Sequence, residues 1–136
     1  MQIKNIVPLA TVSDTAQLNA AKEFYLRHFG FRISFENESY LGLKAPGASD
    51  GELGFMLPDQ PQGPSYGGAG MTYCLQVEDV DAEHERLTAA GLEPVMPLGD
   101  RPWGDRSFVV QDPVGIHIYI FKPIPPTAEF AASIKE

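Results

Sequence analysis

The feature that most constrains this chain is that it reads twice. "IVPLATVSDTAQLNAAKEFYLRHFGF" and "GMTYCLQVEDVDAEHERLTAAGLEPV" each hold a strand-like run ending in Val-X-Asp, then a helix-like segment, a Gly and another strand. Val12 and Asp14 recur as Val77 and Asp79, a displacement of 65. At the far end "GELGFMLP" recurs in pattern as "HIYIFKP", and Pro58 and Pro123 keep the same displacement. A repeat of this length predicts two similar supersecondary units that bury their apolar faces together.

Local signals fix the order inside each unit. Asp14 can cap a first helix with Gln17 three residues on; Leu18, Ala21, Tyr25 and Phe29 follow at helical spacing, and Gly30 stops it. A second helix starts at Asp79, carries Val80, His84 and Leu87 on one face, and stops at Gly91. Strand-like runs follow each helix: "FRISFE", "SYLGLKA" and "GELGFML", then "LEPVMP", "DRSFVVQ" and "GIHIYIF". "QDPVG" fits a type I turn closed by Gly115. The predicted fold class is α+β, two βαβββ modules. The modules span 1–58 and 71–123, with a Pro/Gly-dense linker at 59–70 and a tail at 124–136. A short helix is expected in that tail from about Thr127.

Composition narrows the function. A net charge of −8 argues against nucleic acid as a partner, which needs clustered Lys and Arg, and suits attraction of a cationic small molecule. Cys74 is the single cysteine, so no internal disulfide is possible, and a reducing cytoplasm is the expected compartment. No stretch reads as a signal peptide or a membrane span. Cys74, between Tyr73 and Leu75, reads as a small buried hydrophobe.

The final strand alternates His117, Tyr119 and Phe121 with Ile116, Ile118 and Ile120, so it has a mixed face and an aliphatic one. Tyr119 and His117 are thereby expected to line a pocket. Trp103, in the turn-like Pro102-Trp103-Gly104, is an exposed ring for stacking on a ligand or on a neighbouring subunit. Arg106 has two readings, a ligand carboxylate or a surface ion pair. His84 and His28 are expected to be structural.

With the repeat and "DPVG" in place, the chain resembles the vicinal oxygen chelate superfamily, which includes glyoxalase I, extradiol dioxygenases and bleomycin-resistance proteins. "VSD…EFYLRHFGF", "VEDVDAEHERLTAAG" and "WGDRSFVVQDPVGIHIYIF" carry the resemblance over about residues 3 to 123. It implies a cup of two βαβββ modules, commonly completed across a homodimer. Metal-using members place four ligands at positions held here by Val7, Gly54, Thr72 and Tyr119, none a good ligand for a divalent cation. Glu52 and His117, also displaced by 65, would offer only two ligands at a shifted site. "VP" at Val7-Pro8 and "PWG" at 102–104 match the metal-free, drug-binding members most closely. The resemblance therefore implies a metal-free binder of a flat or cationic aromatic compound, with no cofactor. Trp103 would be its stacking wall, Phe35 and Tyr40 its partners, and Tyr119, His117, Glu52 and Arg106 further ligand contacts. Two alternatives stay open: an enzyme of the same superfamily, with or without metal, and a macromolecular partner held by the Pro-rich tail.

Overall fold

Each helix begins where an Asp can satisfy the orphan amides of its first turn. In the computed structural model, which describes residues 1–47, 50–61 and 63–135, Asp14 Oδ1 accepts from Gln17 N at 2.8 Å and Asp79 Oδ1 from Ala82 N at 3.0 Å. The Gln17 side chain reaches back to Ser13 N at 2.9 Å, one residue upstream of the cap. Helix α1 then runs Thr15–Phe29 and ends at Gly30 with φ 68°, a left-handed cap open to glycine. Helix α2 runs Val80–Ala89.

The first module reads β1 (Leu9–Thr11), α1, β2 (Arg32–Glu36), β3 (Tyr40–Lys44) and β4 (Glu52–Met56), with sheet order β1-β4-β3-β2. The second reads β5 (Thr72–Gln76), α2, β6 (Met96–Arg101), β7 (Asp105–Gln111) and β8 (His117–Pro123), with order β5-β8-β7-β6. First and last strands pair parallel in both modules and the remaining pairs are antiparallel. The repeat extends to individual bonds. Leu9 is registered with Gly54 and Cys74 with Tyr119; Val12 N donates to Met56 O at 2.8 Å and Val77 N to Phe121 O at 2.9 Å. The expected α+β class with two βαβββ modules is what the chain forms.

Each sheet buries one face under its own helix. In the first unit Tyr25 is fully buried and makes ring contacts with Phe24, Phe31 and Phe55. In the second, Phe108, Val110, Ile118 and Ile120 form the core with Val80 and Leu87. His84 packs edge-on against Phe108 at 5.0 Å, a structural place. His28 lies in the last turn of α1 against Phe24.

The chain divides into two compact units, Met1–Ala69 with Pro113–Gly115, and Gly70–Asp112 with Ile116–Glu136. The boundary falls inside the Pro/Gly-dense stretch, and the tail belongs to the second unit. That tail forms the short helix α3 (Ala128–Ala131), with Thr127 at its N-cap position. Strand β6 starts later than "LEPVMP" suggests. Only Val95 N bonds to Val109 O before it, and the register slips between Met96 and Gly99, where Pro97 has no N–H to give. Among the described residues no helix is long and apolar enough to cross a membrane.

Two hairpin loops of the second module share a form: Arg101-Pro-Trp-Gly-Asp105 and Asp112-Pro-Val-Gly-Ile116. Each ends on a glycine at positive φ, Gly104 at 115° and Gly115 at 101°, as three-residue hairpin loops require. Asp112 holds the second loop: it is 4% exposed, its N donates to Ile116 O at 2.9 Å, and its Oδ1 accepts from Ile116 N at 2.8 Å. Asp112→Ala strips that acceptor from a buried amide, so a loss of about 1–3 kcal/mol is expected in urea unfolding. Asp112→Asn keeps an acceptor oxygen and should lose less.

Candidate functional site

Strands β7 and β8 pair with Val109 opposite Tyr119 and Ser107 opposite Phe121. Alternation puts Asp105, Ser107, Tyr119 and His117 on one face of the second sheet, away from the α2 side. Thr72, Cys74 and Gln76 of β5 share that face by their register with His117, Tyr119 and Phe121. The Trp103 loop overhangs its end.

The site is built from one chain of hydrogen bonds. The Tyr119 hydroxyl lies 2.8 Å from both Asp105 oxygens and donates its single proton to that carboxylate. The Trp103 indole N–H is shared between Asp105 Oδ2 at 3.0 Å and the Tyr119 oxygen at 2.9 Å. Ser107 Oγ lies 2.9 Å from the Tyr119 oxygen and donates to it. Arg101 completes the chain: its Nε donates to Ser107 Oγ at 3.3 Å and its terminal nitrogen to the carbonyls of Ser107 and Pro97. The donors run in one sense, from the Arg101 guanidinium to the Asp105 carboxylate.

The electrostatics follow from burial. Ser107 is wholly buried and Asp105 is 9% exposed, and among the described residues no ion pair reaches Asp105. Burial raises the pKa of the Tyr119 hydroxyl above its ordinary value; bonds from Ser107 and Trp103 oppose this, and the Asp105 carboxylate adds to it. Tyr119 is therefore a proton-holding link at neutral pH. Trp103 remains 49% exposed although its N–H is tied down.

The structure brings Trp103 and Tyr119 together and leaves His117 exposed two residues along the same strand face. Cys74 is exposed on that face, which corrects the expectation that it is buried; its register with Tyr119 turns it away from the core. Arg106 alternates to the other face. It bonds Asp81 of α2 at 2.8 Å and Asp100 at 3.0 Å, and its bond to Asp81 holds that carboxyl below the usual range. In the first unit, Phe35 and Tyr40 form an edge-to-face pair at 5.7 Å, and Glu52 lies 3.6 Å from Lys44.

Sequence reasoning passes over Asp105, Ser107 and Arg101. The available signal was the alternation of Asp105 and Ser107 at the start of "DRSFVVQ"; Arg101 lies outside that run.

The four positions that carry ligands in metal-using relatives do not fit a divalent cation. Val7 is apolar and Thr72 offers a neutral hydroxyl. At Gly54 even a Cβ would lie 2.8 Å from the Tyr40 hydroxyl and 2.9 Å from Leu9 Cδ1, so the space a ligand side chain needs is filled. The Tyr119 hydroxyl is committed to Asp105. Among the described residues no three His, Cys, Asp or Glu side chains are grouped to hold a metal.

Comparison with known proteins agrees with this architecture. A structure from Nocardioides, described as a glyoxalase/bleomycin resistance protein/dioxygenase, superposes with a TM-score of 0.72 at 20% identity, covering 91% of this chain and 85% of that one. TnmS3, an antibiotic binding protein from Streptomyces sp. CB03234, superposes with a TM-score of 0.71 at 27% identity over 90% and 98% of the two chains. An uncharacterized Mycobacterium bovis protein is 45% identical over 60 residues, 44% of this chain; the match spans 40% of that relative's length. The sequence model of one family matches residues 11–120, and the chain belongs to that family, the Glyoxalase/Bleomycin resistance protein/Dioxygenase superfamily.

Proposed function

We propose that the protein binds a flat, cationic aromatic small molecule by stacking it on Trp103, and that it does so without a metal. One observation carries this reading: the indole is half exposed yet fixed, its N–H held by Asp105 and Tyr119. A ring fixed before binding loses little entropy when a ligand settles on it, so more of the stacking energy is kept. Aromatic stacking supplies about 0.5–1.5 kcal/mol beyond area burial, and a cation over the ring about 0.5–2 kcal/mol more.

Charge gives the preference for a cation. Asp105 places a carboxylate, with no ion pair among the described residues, at the N–H edge of the indole, and the net charge of −8 adds a long-range field of the same sign. The likeness to TnmS3 supports a binding role, since that protein is described as antibiotic binding. Sequestration of such a compound, by a pair of chains in the cytoplasm, is the physiological form of this proposal.

Tyr119 serves the site indirectly. Its only proton goes to Asp105, so it positions Trp103 and offers a ligand no free donor.

Three outcomes are expected. Trp103→Ala should weaken binding of proflavine or bleomycin, measured calorimetrically, by at least about tenfold while far-UV circular dichroism stays unchanged. Unaltered affinity would remove stacking from the mechanism. Incubation with Ni²⁺, Zn²⁺, Mn²⁺ or Fe²⁺ followed by desalting should leave far less than one metal per chain by mass spectrometry; stoichiometric retention would favour an enzyme instead. The third concerns pH. The folded-state pKa of Tyr119 is raised above its unfolded value of about 10, so its contribution to stability is complete below that pH and is lost as pH rises through the folded value. Tyr119→Phe should therefore flatten the fall in stability above about pH 10 in urea titrations. An identical slope in both proteins would contradict the assignment.

A further inference from the structure

We propose that the C-terminal segment from Ile124 to Ala131 is a working part of the site, a strap that orders the Trp103 loop, with Phe130 the residue that positions the indole. The inference rests on the stacking role given to Trp103 above, and it adds a second element on which that role depends.

The strap is tied to both residues that flank Trp103. Ile124 N donates to Gly104 O at 2.9 Å, and Thr127 N donates to Pro102 O at 2.9 Å. Thr127 Oγ1 lies 3.3 Å from the same Pro102 carbonyl. Between these donors stand Pro125 and Pro126, which have no N–H and a fixed φ. The sequence thus places its two amides where the loop offers carbonyls and stiffens the residues between them.

Gly104 shows how close the approach is. Its φ is 115°, and an added Cβ would lie 3.2 Å from Ile124 O and 3.2 Å from Pro126 Cβ. A side chain at this position would press against the strap. The glycine therefore serves two needs, the left-handed turn and the seat of the tail.

Helix α3 has no core of its own, since none of its residues is buried. What it does is carry Phe130 to Trp103, with ring centroids 6.2 Å apart and planes at 69°, an edge-to-face contact. Trp103 is then restrained twice, through its N–H by Asp105 and Tyr119 and through its ring by Phe130. Loss of Phe130 leaves the hydrogen bonds but frees the ring to rock about them.

Trp103 is the only tryptophan in the chain, so its emission reports on this site alone. The experiment compares full-length wild-type protein with Phe130→Ala and Phe130→Tyr, reading acrylamide quenching and emission anisotropy, then proflavine affinity. Phe130→Ala is expected to raise the quenching constant, lower the anisotropy and weaken proflavine about two- to tenfold, with Phe130→Tyr restoring all three. Quenching and anisotropy unchanged in Phe130→Ala overturn the strap. So does a freed indole that still binds proflavine with wild-type affinity. If wild-type protein binds neither proflavine nor bleomycin, the stacking function falls, and the quenching comparison alone decides whether Phe130 positions Trp103.

Discussion

The parallel pairing of β5 with β8 is the constraint on which the candidate site depends. Parallel neighbours cannot be joined by a tight turn, so the chain between them must travel, and here it makes α2, β6 and β7 on the way. Those intervening strands are the ones that carry Arg101, Asp105 and Ser107 back beside Tyr119. The pairing also sets register: Cys74 opposite Tyr119 sends Ile118 and Ile120 to the core and leaves Tyr119 on the open face. A slip of one residue would reverse both faces and dissolve the hydrogen-bond chain.

That chain explains how a large aromatic ring stays at the surface without collapsing onto the protein. A half-exposed tryptophan gains by burying its remaining area, at about 25 cal/mol per Å². Here the gain is opposed, because displacing the ring would pull the N–H from Asp105 and Tyr119, and a buried carboxylate that loses one of its donors is costly. Ser107 and Arg101 then keep the Tyr119 oxygen oriented so that its proton faces Asp105. Each partner is satisfied by the next, which is the condition under which buried polar groups rigidify a site.

Much of the fold was legible because the repeat restricted it. Val12 and Val77, Asp14 and Asp79, and Pro58 and Pro123 fixed the module order before any strand was placed, and the backbone bonds of Val12 and Val77 obey the same displacement. Trp103 and Tyr119 were legible as candidates from a turn and an alternation, and the structure joins them by a hydrogen bond. Asp105, Ser107 and Arg101 were not, because their importance lies in cross-strand register, which single strands do not display. Cys74 was misplaced for a related reason: "TYCLQ" is too uniformly apolar at its centre to say which face is inward, and only β8 decides it. Phe130 lay in the tail, where a short helix was legible but its contact was not, because that contact depends on two amides finding the carbonyls of a loop twenty or more residues earlier.

The two modules differ at one position that the repeat makes equivalent. Gly54 and Tyr119 are equivalent under the repeat, and the resemblance to metal-using members would place a carboxylate at both. In the first module the side chain is gone, and Tyr40 and Leu9 fill the space above the glycine. In the second a larger side chain remains, but its oxygen faces the Asp105 carboxylate of its own sheet. The phenol therefore meets Asp105 as a donor, and its one proton is committed to that carboxylate. The acid that holds the indole is thus also the acceptor that occupies the Tyr119 hydroxyl. The fixed indole and the committed phenol are, in this chain, two consequences of one buried carboxylate.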